Sequence, residues 1–192
     1  MEFLRKVINY VLLNIMFLLF CIPIFTIGAA MTALYSITMK DAGGFAPSYF
    51  LAFVKGFIAN FKKATLAFVL QAFLAFVLLF NIIFWYNINS MFSLAIAIIL
   101  TVGFMFLVIS FIYAYPLLAK FENTLKQTLK NSIFIAFQNK RFTLLLLCLY
   151  VFMVFLIYSI TIVSIFFTLF GFAFFAYCFS FIFNKIFALY EA

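Results

Sequence analysis

Residues 21–35, CIPIFTIGAAMTALY, combine an apolar composition with several residues that weaken a helix. Proline lacks a backbone donor and clashes with the preceding turn, so Pro23 should kink or break the helix. Small residues let a neighbouring backbone approach closely in a membrane, and threonine hydroxyls can bond to freed carbonyls. We therefore interpret the stretch as a helix break and packing motif made of Pro23, Thr26, Gly28, Ala29, Thr32 and Tyr35.

The composition of the chain indicates that its solvent is lipid. Of 192 residues, 70% are hydrophobic and 8% are charged, whereas a soluble domain is about half apolar and about a quarter charged. The net charge of +8 comes from twelve Lys and Arg residues that lie between apolar runs. There they set orientation and contact anionic headgroups, so we expect a lipid bilayer partner and no nucleic-acid partner.

Side chains suited to catalysis or metal binding are scarce. Histidine is absent, which removes the usual general base and metal ligand. The carboxylates fall at the termini or in connecting segments, at Glu2, Asp41, Glu122 and Glu191, and the cysteines lie in apolar runs, at Cys21, Cys148 and Cys178. We therefore predict a non-enzymatic protein without catalytic residues, cofactor or metal site.

Hydropathy predicts an all-α integral membrane protein, a single polytopic domain over residues 1–192 with about five transmembrane helices and two interfacial amphipathic helices. A helix needs about 20 residues to cross the hydrocarbon core. The predicted spans are residues 7–39 with a break near 23–28, 64–84, 92–119, 142–165 and 166–189.

The first segment is anomalous, because 33 residues would run about 50 Å as one straight helix. Two interpretations stay open besides a single broken span. The break can return the segment to its own side, or residues 1–30 can be a secretory signal, with a basic start and small residues at the end.

Two connecting segments, 41–63 and 121–141, are predicted to be amphipathic helices lying in the interface. In the second, apolar residues at Phe121, Leu125, Leu129, Ile133 and Ala136 form one stripe. The basic residues that could contact a cytoplasmic partner or lipid are Lys55, Lys62, Lys63, Lys126, Lys130, Lys140 and Arg141.

The positive-inside rule predicts that both basic segments face the cytoplasm and that residues 85–91 face outward. The side of the N-terminus stays open, because five single spans would place Arg5 and Lys6 outside against the same rule.

The stretches CIPIFTIGAAMTALYSI from residue 21, KATL at 63–66 and YPLLAKFENTLKQTLKNSIFIAF at 115–137 resemble the YesL family of bacterial membrane proteins, a domain of unknown function. The matching residues are Pro23, Thr26, Gly28, Ala29, Thr32, Ala33, Tyr35, Tyr115, Pro116, Asn123 and Leu125. The resemblance implies a multi-pass cell-membrane protein of Gram-positive bacteria, often encoded beside carbohydrate ABC importers. It implies no known activity.

We accordingly expect an accessory protein of carbohydrate (ABC-type) uptake, with ABC transporter subunits as partners. Two alternatives stay open. The protein can be a transporter or channel in its own right, with the broken first segment forming the path, or a membrane assembly factor unrelated to sugars.

Overall fold

The computed structural model describes residues 2–45 and 48–190, and this part of the chain is helical without strands. The all-α fold class is confirmed. In chain order the helices are α1 (Glu2–Phe20), α2 (Ile27–Ala42), α3 (Tyr49–Ile88), α4 (Met91–Lys120), α5 (Leu125–Gln138), α6 (Lys140–Ser159), α7 (Thr161–Phe166) and α8 (Phe172–Phe187). Short 3-10 turns lie at Ile24–Thr26 and Ala188–Tyr190, and a π-helical turn at Phe167–Gly171 joins α7 to α8.

Four helical stretches are long and apolar enough to cross a membrane, which makes this a multi-pass membrane protein. Among the described residues they are Tyr49–Ile88, Met91–Lys120, Lys140–Ser159 and Ser164–Tyr190. Large apolar side chains on α3 point outward, since Phe73, Phe76 and Phe80 are 63%, 69% and 63% exposed. Such a surface suits lipid rather than water.

The first apolar segment is two helices whose far ends meet. Pro23 lies between them, and Thr26 Oγ1 donates to the carbonyl oxygens of Phe20 and Pro23 at 2.5 and 2.6 Å. Lys6 Nζ lies 3.3 Å from Asp41 Oδ2, two residues that one straight helix would separate by roughly 50 Å. The chain therefore reverses at the break, and Lys6 lies at the same end as the C-terminus of α2.

The predicted interfacial helix over residues 41–63 is not a separate element. Residues 49–63 form the first part of α3, which continues without interruption to Ile88. The physical reason is local: Lys62, Lys63 and Ala64 favour helix, and neither glycine nor proline separates them from the apolar run. At 40 residues, α3 is about 60 Å long, twice the hydrocarbon thickness.

The boundary predicted between residues 165 and 166 also differs. Helix α6 ends at Ser159, and the next residue, Ile160, adopts an extended backbone with φ −130° and ψ 105°. The helical path then runs from Thr161 through the π turn into α8. β-Branched Ile160 and Thr161 are weaker helix formers than the leucines before them, which suits an interruption there.

Helix α2 lies at the centre of the protein. It packs on α1, α3, α4 and α8, and Ala29, Ala30, Ala33 and Ile37 are fully buried. Its small side chains allow this many neighbours, because helices approach closely only where side chains are short.

Candidate functional site: the junction of the sequence motifs

The small-residue face of α2 packs directly on the backbone of α3. A Cβ placed on Gly28 would lie 2.4 Å from the carbonyl oxygen of Ala64 and 2.7 Å from Phe68 Cβ. Next to it, Ala29 forms a buried cluster with Ala64, Ala67 and Leu118. Glycine is therefore required at position 28 for the observed approach.

The polar residues of the motif bond within and between helices. Thr32 Oγ1 donates to the Gly28 carbonyl oxygen at 2.9 Å. The hydroxyl of Tyr35 lies 2.9 Å from that of Tyr150, and its ring packs edge-on against Phe183 with centroids 5.6 Å apart. Pro23 lies at the exposed tip of the turn, so it shapes the break without joining the packing.

Three stretches that are distant in sequence meet at this face. The same Cβ on Gly28 would lie 3.0 Å from the ring of Tyr115. Leu125 packs against the cluster around Ala29, and Lys63 Nζ donates to the Asn123 carbonyl oxygen at 3.3 Å. The junction of α2, α3, α4 and the start of α5 is therefore built from the stretches that carry the family resemblance.

A buried chain of polar side chains extends from this junction. Tyr115 donates to Gln71 Oε1 at 2.8 Å, and Gln71 Nε2 donates to Ser110 Oγ at 3.2 Å. Ser110 and Ser132 hydroxyls lie 2.9 Å apart. Hydrogen bonds between membrane helices hold them in register, so these side-chain bonds connect α3, α4 and α5. The only sequence signal for these contacts is Gln71, a polar residue inside an apolar run.

The second amphipathic segment forms α5, and its fully buried face overlaps the predicted stripe at Ala136. The helix starts with a capping box of Thr124 and Gln127, which satisfies free backbone donors. The face it buries consists of Thr128, Ser132, Ile135 and Ala136. Leu125, Leu129 and Ile133 of the predicted stripe are partly buried beside it, and Ser132 contacts Ser110 of α4.

Helix α5 also follows α4 instead of crossing it. Besides the contact between Ser110 and Ser132, the rings of Phe106 and Phe137 lie 5.4 Å apart. Protein contacts along α4 therefore position this helix, and its location in the membrane interface stays a prediction.

The basic residues predicted to contact a partner or lipid are exposed, and they lie on three helices. They are Lys55, Lys62 and Lys63 on α3, Lys126 and Lys130 on α5, and Lys140 and Arg141 on α6. The structure does not gather them into a pocket. Among the described residues, His, Cys, Asp and Glu form no group of three or more that could hold a metal ion.

Residues 10–82 match a family described as "Protein of unknown function, DUF624". The matched region contains α2 and most of α1 and α3, and therefore the break and packing motif. No curated protein and no solved structure matches the chain.

Proposed function

We propose that this protein is a non-enzymatic accessory subunit of the bacterial cell membrane that binds a carbohydrate ABC importer and supports its assembly or regulation. The resemblance to the YesL family supports the choice of partner, because that family is often encoded beside such importers. The match to a family of unknown function over residues 10–82 is compatible with it.

The observation that carries the proposal is how the buried polar groups are used. The buried polar side chains are neutral, and each forms a hydrogen bond with another of the set Gln71, Ser110, Tyr115 and Ser132. Thr38 and Ser180 form a further buried pair between α2 and α8, at 2.8 Å. Intramembrane ionisable groups mark ion and proton pathways, whereas neutral side chains paired with one another build a rigid body. A rigid helical body suits a subunit that works through its outer surface.

The outer face of α5 supplies a surface for a cytoplasmic partner. Lys126 and Lys130 lie one turn apart on this helix, and both side chains are exposed. Complementary charge guides association and selects partners, so an acidic face on a cytoplasmic importer subunit would fit these two ammonium groups.

Purification from native membranes tests this docking. Lys126→Gln with Lys130→Gln should release the importer subunits that co-purify with the wild type, and it should slow growth on the imported sugar. Each lysine near an anionic surface contributes about 1 kcal/mol, so a protein held by several spans should still insert at normal abundance.

The matched control is Lys126→Arg with Lys130→Arg, which keeps both charges and should keep the partner. Full retention of importer subunits by the glutamine variant would refute docking through this face. Co-purification of other membrane complexes instead of an importer would identify an assembly factor unrelated to sugars. Solute flux into liposomes holding this protein alone would show a transporter.

A further inference from the structure

An apolar groove lies between α1 and the helical path from α7 to α8. Its volume is about 570 Å³, within the range of about 300–1,000 Å³ found for small-molecule sites. Val7 and Val11 line one side, and Phe170 and Phe174 line the other. The polar residues that line it are Lys6, Tyr10 and Tyr177, so the groove has an apolar body and one charged lining group.

The π turn at Phe167–Gly171 forms a wall of this groove, and one buried side chain supports it. Asn14 is fully buried. Its Nδ2 donates to the Thr168 carbonyl oxygen at 2.8 Å, and its Oδ1 accepts from the Ala173 backbone N–H at 3.1 Å. The widened turn changes the pairing of backbone N–H and C=O groups, and the Asn14 amide bonds to one group of each kind. Such turns occur frequently at functional sites.

The charged lining group is the Lys6 ammonium. Lys6 Nζ donates to the Tyr177 hydroxyl at 3.0 Å and lies 3.3 Å from Asp41 Oδ2. The hydrogen bond to Tyr177 and the charge of Asp41 raise the pKa of Lys6 above 10.5, although desolvation lowers it. An ammonium has three donors, so it can serve a further acceptor beyond these two.

The residues beside Lys6 and Asp41 add positive charge. Arg5 precedes Lys6 on α1, Lys40 precedes Asp41 on α2, and both side chains are exposed. Together with Lys6 they give three cations against the two acidic residues Glu2 and Asp41 at this end of α1 and α2. Lys6 is the cation that lines the groove, so the charged end of the groove favours an anion.

We propose that this groove is a binding site for an anionic phospholipid, with an acyl chain along the phenylalanine wall and the phosphate at Lys6. This goes beyond the proposed accessory function and does not depend on it. Lipid tails are as apolar as the groove itself, so apolar contact alone would not select one lipid over another. Selection must come from the headgroup, and the excess of cations selects a negative one.

Native mass spectrometry of the detergent-purified protein tests the site. The probe is an equimolar mixture of phosphatidylglycerol and phosphatidylcholine with identical chains. The wild type should retain phosphatidylglycerol about fivefold over phosphatidylcholine, the ratio that one basic residue provides near an anionic surface. Lys6→Gln should bring this ratio close to one, and Asp41→Asn should raise it by removing the competing carboxylate.

Two controls separate the groove from general charge and from misfolding. Lys55→Gln removes the same charge from an exposed site on α3 and should keep the ratio. Lys6→Gln combined with Asp41→Asn leaves neither charge without its partner, and this double variant should still lose the preference for phosphatidylglycerol. Val7, 46% exposed, can become tryptophan without repacking the core, and Val7→Trp should at least halve the retention of both lipids.

The proposal would be overturned by equal ratios for Lys6→Gln and Lys55→Gln, or by undiminished lipid retention in Val7→Trp. A lipid-free dimer that Val7→Trp dissociates would also overturn it, because the groove would then hold a second copy of the chain.

Discussion

Replacing Gly28 by alanine adds one methyl group where α2 packs against α3. That methyl carbon would lie 2.4 Å from the Ala64 carbonyl oxygen, which belongs to the backbone and cannot rotate away. Phe68 Cβ and the ring of Tyr115 close the other sides, at 2.7 and 3.0 Å. The two helices must therefore separate, and the contacts around Ala29 loosen with them.

The expected cost is that of overpacking, about 1–3 kcal/mol. For a chain of this size each kcal/mol shifts the melting temperature by about 2–4 °C, so Gly28→Ala should melt roughly 2–12 °C below the wild type. Gly103 provides a matched control, because it lies inside α4 and a Cβ there would meet nothing within 4 Å. Gly103→Ala should be neutral or stabilising, since alanine favours helix over glycine by up to about 1 kcal/mol.

Thermal unfolding of both variants in one detergent, followed by size-exclusion chromatography after heating, measures the difference. The sign separates the two explanations. Close packing predicts opposite shifts at positions 28 and 103, whereas a general effect of alanine on helix stability predicts the same shift. If the melting temperature of Gly28→Ala equals or exceeds that of Gly103→Ala, then Gly28 is not the point of close packing between α2 and α3.

Two further predictions concern α1 and the direction of the chain. Asn14→Leu should lower the melting temperature more than Asn81→Leu. It removes the side-chain partners of the Thr168 carbonyl on the π turn and of the Ala173 N–H at the start of α8, and a buried group left unsatisfied costs about 1–3 kcal/mol. The Asn81 amide bonds within its own helix, and equal shifts would remove the role assigned to Asn14. In a cysteine-free chain, an impermeant maleimide applied to intact cells should label a cysteine at Asn89 but not at Arg5 or Lys130, and labelling at Arg5 would contradict the reversal of the first segment.

Much of the fold could be predicted because it depends on local chemistry. Composition alone indicates lipid, and the absence of a donor at Pro23 indicates a break wherever the neighbouring residues lie. Boundaries were less predictable where the signal is weak. Basic residues suggested an end before Ala64, yet they are good helix formers and α3 continues through them.

The contacts of the candidate site were harder to predict from the sequence. Gln71 stands out as a polar residue in an apolar run, but nothing in the sequence selects Tyr115 and Ser110 as its partners. The same holds for Asn14, whose partners on the π turn and at the start of α8 lie more than 150 residues away in the sequence. Several hydroxyls would satisfy the same amide, so only their positions in space distinguish them.

By itself, the sequence determined the helical class, the membrane setting, the break at Pro23 and the small-residue face of α2, because hydropathy, proline geometry and side-chain size act over a few residues. Only the tertiary structure decided that α1 returns to the end of α2, that Gly28 meets Ala64 and Tyr115, and that α5 runs along α4. The reason is that lipid offers a polar group no hydrogen-bond partner, so such a group pairs inside the protein. Which partner it finds depends on how whole helices pack, and that packing is a property of the assembled chain.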